Sequence, residues 1–193
     1  MKSICVFCGS STGNDPAYAS AAAALGGALA ESDITLVYGG GHVGLMGVVA
    51  DAALEAGGKV IGVMPRALIE REIGYTGLTK LHVVASMHER KALMSELSEG
   101  FIALPGGHST LEEFFEVLTW AQLGEHKKPC GLLNVSGFYE PLLSALDHMT
   151  KSGFVSEEHR KLVLVEKTPD PLLQAFETYR PPATVKWIDA PDK

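Results

Sequence analysis

The sequence predicts an α/β protein, a parallel sheet of about seven strands with helices on both faces. Three observations carry that reading. Short apolar runs alternate with segments of helical periodicity along the whole chain, the pattern of strand–helix–strand units. Gly-rich turns follow three of those runs, at Gly9, Gly39 and Gly106, and parallel sheets gather ligands beyond the C-terminal ends of their strands. No internal repeat or linker-like composition breaks the alternation across the 193 residues. Residues 1–180 therefore read as a single domain and 181–193, which lack periodicity, as a peripheral tail.

The elements follow in order. Residues 3–7 form the first predicted strand, and Gly9-Ser10-Ser11-Thr12-Gly13 is a loop of small residues. Asp15 caps, and Pro16 opens, an Ala-rich helix over 16–31. The second strand is 34–38. Gly39-Gly40-Gly41-His42-Val43-Gly44 then turns the chain into a helix that stops near Gly57-Gly58. Strand three, 60–64, is closed by Pro65; the stretch 66–79, with Glu70, Arg71 and Glu72, is less regular. A fourth strand at 81–84 precedes Ser86, the cap of a helix over 87–97. The fifth, 101–104, runs into Pro105-Gly106-Gly107-His108-Ser109-Thr110-Leu111-Glu112-Glu113. Leu111, Phe114, Phe115, Leu118 and Ala121 continue at helical spacing to Gly124. A strand at 131–135, a helix over 138–150, a strand at 162–165 and a short helix opened by Asp170-Pro171 complete the pattern.

Composition removes several classes of function. A hydrophobic content of 46% with 20% charged residues is that of an ordinary globular protein. A net charge of −7 argues against nucleic acid or an anionic membrane as principal partner. No apolar run is long enough to span a bilayer, and the N-terminus lacks a secretory pattern, so a cytoplasmic location is expected. Cys5-Val6-Phe7-Cys8 has the spacing of a redox pair, but positions three apart on a strand face opposite ways. Buried, inert thiols are the expectation. The seven histidines show no paired ligand spacing; no metal and no cofactor is expected.

The chemistry concentrates at the fifth turn. A Gly-rich link from a strand's C-terminal end to a helix N-terminus offers free N–H groups and the positive end of the helix dipole, which suits a phosphate. Ser109-x-x-Glu112 and Thr110-x-x-Glu113 also each fit a capping box, a purely structural use of the same residues. Glu112, Glu113 and Glu116 share a helix flank; their repulsion, a few tenths of a kcal/mol per pair, requires a cation nearby. Arg90 shares a helix face with Leu93, Met94 and Leu97 and is therefore directed inward. A buried guanidinium needs a carboxylate or an anionic ligand. A different reading arises at the second turn, where Gly39-x-Gly41-x-x-Gly44 matches the dinucleotide fingerprint. Its acidic partner, expected about 20 residues on, is missing from Val63-Met64-Pro65-Arg66, although Arg66 would suit a 2′-phosphate.

Met87-His88-Glu89-Arg90-Lys91 followed by Pro105-Gly106-Gly107-x-x-Thr110-x-x-Glu113 resembles the Lonely Guy family of cytokinin riboside 5′-monophosphate phosphoribohydrolases, often labelled lysine decarboxylases. Gly39-Gly40-Gly41 through Gly44-Leu45-Met46-Gly47 and Trp120-Ala121-Gln122-Leu123-Gly124 are similar too, and the resemblance covers the chain from Ile4 to Val165. It implies a modified Rossmann-like fold, a homodimer, and hydrolysis of the N-glycosidic bond of an adenine-type nucleoside 5′-monophosphate, releasing base and ribose 5-phosphate. By motif position Arg90 and Glu113 become the catalytic pair. Glu72, Lys91, Gly40, Gly41 and the run Gly106, Gly107, His108, Ser109, Thr110, Leu111 and Glu112 become substrate contacts. Ser109 departs from the family's P-G-G-x-G-T-x-x-E pattern, and strains the turn if that position needs a positive φ. In this scheme Glu113 stabilises the oxocarbenium-like charge and orients water, while Arg90 keeps it ionised by lowering its pKa. His88 and His108 are the candidates for protonating the departing base. The competing reading is a non-catalytic nucleotide or cofactor carrier on the same fold, which needs the turn but not the Arg90/Glu113 pair.

Overall fold

A computed structural model describes residues 1–69 and 77–182. Its seven strands are β1 (Ser3–Phe7), β2 (Thr35–Tyr38), β3 (Val60–Pro65), β4 (Lys80–Val84), β5 (Phe101–Ala103), β6 (Cys130–Leu133) and β7 (Val163–Glu166). They pair in the order β4-β3-β2-β1-β5-β6-β7, every neighbouring pair parallel. The helices are α1 (Pro16–Glu31), α2 (Gly44–Glu55), α3 (Arg66–Ile69), α4 (Met87–Glu96), α5 (His108–Leu123), α6 (Glu140–Lys151), α7 (Glu157–Arg160) and α8 (Pro169–Thr178). The expected α/β architecture is the one observed.

Alternation along β1 shows how the core divides. Ile4, Val6 and Cys8 pack on the side covered by α1, α2 and α8, with Leu25, Leu29, Val49 and Phe176. Cys5 and Phe7 pack on the other side with Met94 of α4, Phe114 and Val117 of α5 and Leu146 of α6. Cys5 and Cys8 thus lie on opposite faces, as strand geometry requires. Both are free and buried, and burial pushes their thiols well above the usual range.

Local chemistry sets the helix starts. The Asp15 carboxylate accepts from Ala17 N–H at 2.9 Å ahead of Pro16, and Ser86 Oγ accepts from Glu89 N–H at 3.1 Å. Gly124 closes α5 in the left-handed conformation. Two single-turn helices, α3 and α7, are not visible as periodicity because four residues cannot display a repeat. The helix expected over 138–150 begins at Glu140, behind a tight turn at Val135–Gly137.

Strand order reverses direction between β1 and β5. That switch point opens a crevice at the C-terminal edge of the sheet, where the connections leave for opposite faces. Leu104 N–H bonds Phe7 C=O at 2.9 Å and Gly9 N–H bonds Pro105 C=O at 3.1 Å, so the two strand ends stay stitched beyond the ladder. The Gly9 and Gly106 turns therefore emerge side by side.

Candidate active site

A cavity of about 270 Å³ occupies the switch point. Its walls are the loop from Gly9 to Gly13, the turn Pro105-Gly106-Gly107, and the side chains of Tyr18, Leu45 and Phe138. Leu45 N–H donates to Gly9 C=O at 3.0 Å, which docks the start of α2 onto the same loop. Gly106 must be glycine: an added Cβ would collide with Thr110 Oγ1 and lie 2.9 Å from Gly9 N.

The start of α5 differs from the capping-box expectation. Gly107 is the N-cap and supplies no side chain, so neither Ser109 nor Thr110 caps the helix; both lie inside its first turn. The first helical bond runs from Leu111 N–H to Gly107 C=O. The N–H groups of His108, Ser109 and Thr110 precede the ladder, as at any helix start. Ser109 is exposed and helical, and the only non-glycine residues at positive φ among those described are Asp33 and Ser136. Serine in place of the motif glycine therefore carries no backbone strain. Thr110 is fully buried, and its hydroxyl, tucked beneath Gly106, finds no partner among the described atoms. Of the two hydroxyls expected at a phosphate, only that of Ser109 faces outward.

Arg90 and Glu113 come together on the α4/α5 side of the sheet. The guanidinium is anchored by backbone at the ends of two strands: Nε donates to Val63 C=O and Nη2 to Gly39 C=O, each at 3.1 Å. Gly39 has no room for a side chain because a Cβ would collide with that guanidinium. The third nitrogen, Nη1, faces Glu113 Oε1 at 4.0 Å, and the two side chains are only 11% and 12% exposed. Burial raises the Glu113 carboxyl above its ordinary value, with Arg90 opposing. The expectation that Arg90 sets a lowered pKa is thus corrected: desolvation outweighs the ion pair.

Lys91 supplies the cation that the carboxylate cluster requires. Its Nζ lies 2.5 Å from Glu112 Oε1 and 3.0 Å from Glu116 Oε1. Bonding to Glu112 is the main reason its pKa is raised. Arg90 and Lys91 are adjacent on α4 but point about 100° apart, one to the strand ends and the other to α5. His88 and His108 are both exposed.

Other expected contacts are distributed differently. Gly106 and Gly107 line the cavity, whereas Gly40 and Gly41 are buried and Gly40 packs over Gly62 of β3. Leu111 packs into the core beside Phe114. Glu72 lies outside the described residues. Sequence reasoning missed Tyr18 and Phe138, whose rings meet edge-to-face at 5.6 Å on the cavity wall. It also missed Tyr139, buried beneath them, whose hydroxyl donates to Leu104 C=O at 2.6 Å and fixes the residue ahead of the Pro105 turn. Asn134 in turn holds Tyr139 N–H at 2.7 Å and Glu140 at 2.8 Å. The signal for this brace was a polar residue at a strand end, Asn134, followed by an aromatic pair.

A family model described as possible lysine decarboxylase matches residues 46–176. The chain is 49% identical over 181 residues to the cytokinin riboside 5′-monophosphate phosphoribohydrolase LOG of Oryza sativa subsp. japonica, covering 94% of this chain and 75% of that one. It is 50% identical over 178 residues to the protein of the same activity name from Rhodococcoides fascians, covering 92% and 90%. Among solved structures, the molybdenum cofactor binding protein of Rippkaea orientalis superposes with a TM-score of 0.69 at 21% identity over 92% of this chain and 97% of that one. The molybdenum cofactor carrier protein of Chlamydomonas reinhardtii gives 0.69 at 22% identity, over 91% and 96%. At that identity the likeness extends to the fold alone.

Proposed function

Because the chain belongs to the family of this model and of the phosphoribohydrolases just described, we propose that it hydrolyses the N-glycosidic bond of adenine-type nucleoside 5′-monophosphates. The substrate is a cytokinin riboside 5′-monophosphate, AMP or both, and the products are free base and ribose 5-phosphate. Support beyond the relatives' names comes from one observation: Arg90, reaching in from α4 to the ends of β2 and β3, is paired and nearly buried with Glu113, on the helix that starts at the Gly106 turn.

In this reading the N–H groups of His108, Ser109 and Thr110, with the Ser109 hydroxyl, receive the 5′-phosphate. As the bond from C1′ to the base lengthens, its electron pair leaves with the base and positive charge builds on the ribose. Glu113 offsets that charge, orients the water that attacks C1′ and accepts the proton this water loses, while the departing base takes up a proton from solvent. Arg90, fixed by two backbone carbonyls, holds Glu113 in place without having to reorganise. Burial raises the Glu113 carboxyl above its ordinary value, which makes its carboxylate a better acceptor for a proton of the attacking water.

We further propose a homodimer and a cytoplasmic location. Val83, Met87 and Leu123 are large apolar residues left exposed at and near the helices that carry the site, which suits a shared surface. No described helix is long and apolar enough to cross a membrane. The test of the reaction is to incubate the purified protein with AMP and with its N6-isopentenyl form and to assay free base by chromatography. Binding of both without base release would replace hydrolysis by the carrier reading.

A further inference from the structure

Lys91 follows Arg90 directly, yet the two side chains have different fates. Each of the two carboxylates that Lys91 touches is a neighbour of Glu113 on α5: Glu112 precedes it and Glu116 lies almost one turn on. The Lys91 side chain is 12% exposed, against 56% for Glu112. An ammonium has three protons to donate; two are directed at carboxylates, and the side chain that carries them is almost wholly covered. We infer that Lys91 serves the reaction as a positioning residue, an internal counter-ion that neutralises Glu112 and Glu116 and so leaves Arg90 and Glu113 to face the substrate as a matched pair. The inference rests on the hydrolase reading for its consequence in turnover, but not for its electrostatics.

Charge arithmetic shows why the clamp matters. Among the described residues, Glu112, Glu113 and Glu116 face Arg90 and Lys91, three negative groups against two positive. Cys5, on the same face of β1, and Cys8, just beyond the strand on the other face, both lie within electrostatic reach of Glu113, but burial keeps both thiols neutral. Removing Lys91 leaves three carboxylates against one guanidinium, in a place where Glu113 is already partly desolvated. Like charges then push the Glu113 carboxyl further toward its neutral form, in which it cannot stabilise a cation. The contacts also tie α4 to α5, which keeps the helix bearing Arg90 in register with the helix bearing Glu113.

The test compares wild type, Lys91→Met, Lys91→Arg and the double variant Lys91→Met/Glu112→Gln. The pH profile of kcat/KM reports the free enzyme. The Glu113 carboxyl is also titrated without substrate by carboxyl-carbon NMR, assigned with Glu113→Gln. Lys91→Met should move the acid limb and the Glu113 titration upward by about one pH unit. Lys91→Arg should stay with wild type, and the double variant should return most of the way because it removes one negative charge along with the positive one. An elevated KM in Lys91→Met with limb and titration unmoved would overturn the inference and make Lys91 a substrate ligand. Should Lys91→Met fail to fold, Glu116→Gln decides: a downward shift supports the clamp, and no shift overturns it. If wild type releases no base, the hydrolase reading falls, while the NMR titration still decides the role of Lys91.

Discussion

Replacing Arg90 by methionine should destabilise the fold in a way that depends on pH, and the dependence can be worked from the geometry. Part of the loss is constant. Val63 C=O and Gly39 C=O each lose a charged donor at 3.1 Å. Hydrogen bonds to charged groups contribute about 1.5–3 kcal/mol each; the low end applies here because the shorter side chain admits water, giving about 3 kcal/mol. The other part belongs to Glu113. Its folded-state pKa is raised by burial and held back by Arg90. For a carboxyl raised on folding, the folded state binds more protons between the unfolded and folded pKa values, so stability is highest below the unfolded value and falls as pH climbs through that interval. Removing Arg90 lifts the folded pKa further and steepens the fall. An opposite charge at this range is worth about 1–3 units, and each unit is about 1.4 kcal/mol. The 4.0 Å separation favours the lower half of that range. Arg90→Met should therefore cost about 3 kcal/mol near pH 5 and about 5 kcal/mol near pH 8. Urea unfolding at the two pH values measures this, and repeating it in the Glu113→Gln background should abolish the difference. Equal losses at both pH values in the Glu113 protein would refute the argument, because Arg90 would then be a structural clip and no counter-charge.

Glu113→Gln and Arg90→Ala should each lower the rate of base release by about a hundredfold or more, with circular dichroism showing a folded protein; near-normal turnover in folded Glu113→Gln would sink the mechanism. The nucleoside should be cleaved with a kcat/KM about a thousandfold below that of its 5′-monophosphate, because unpaired donors at the α5 start reject a ligand that lacks the phosphate. Thr110→Val should leave thermal stability unchanged or raise it by up to about 1 kcal/mol, since the hydroxyl it removes is buried without a partner among the described atoms; a clear drop in melting temperature contradicts that assignment. Light scattering at micromolar concentration should give about twice the chain mass, with an interface above roughly 1,000 Å².

Legibility in the sequence followed the physics of demand and supply within the fold. Strand and helix demands are local: alternating apolar runs and 3.6-residue spacing placed every strand to within a residue or two at its ends, and Asp15-Pro16 and Ser86 announced two helix starts. The helix start at His108 was legible as a position but not as a mechanism. A capping box is a statistical pairing of side chains, and nothing local shows that Thr110 must tuck beneath Gly106, which faces a loop almost a hundred residues away at Gly9. The same holds for the second glycine turn. Its spacing matches a nucleotide fingerprint, yet Gly39 makes way for a guanidinium and Gly40 packs on β3.

Charges behaved differently, and more informatively. An arginine on an apolar helix face and three glutamates on one flank are two unmet demands of opposite sign, and both could be read without knowing the fold. The sequence could not say how they would be matched, because the pairing depends on how α4 and α5 lie across the sheet. In the structure Lys91 takes the outer two glutamates and Arg90 is left to the most buried one. That division is what separates a structural ion network from a reactive pair: Lys91 and its partners satisfy one another, whereas Arg90 and Glu113 stand 4.0 Å apart, with burial raising the carboxyl despite the cation. A pair held short of full mutual satisfaction, beside a turn suited to a phosphate, has interaction energy left to offer a developing charge.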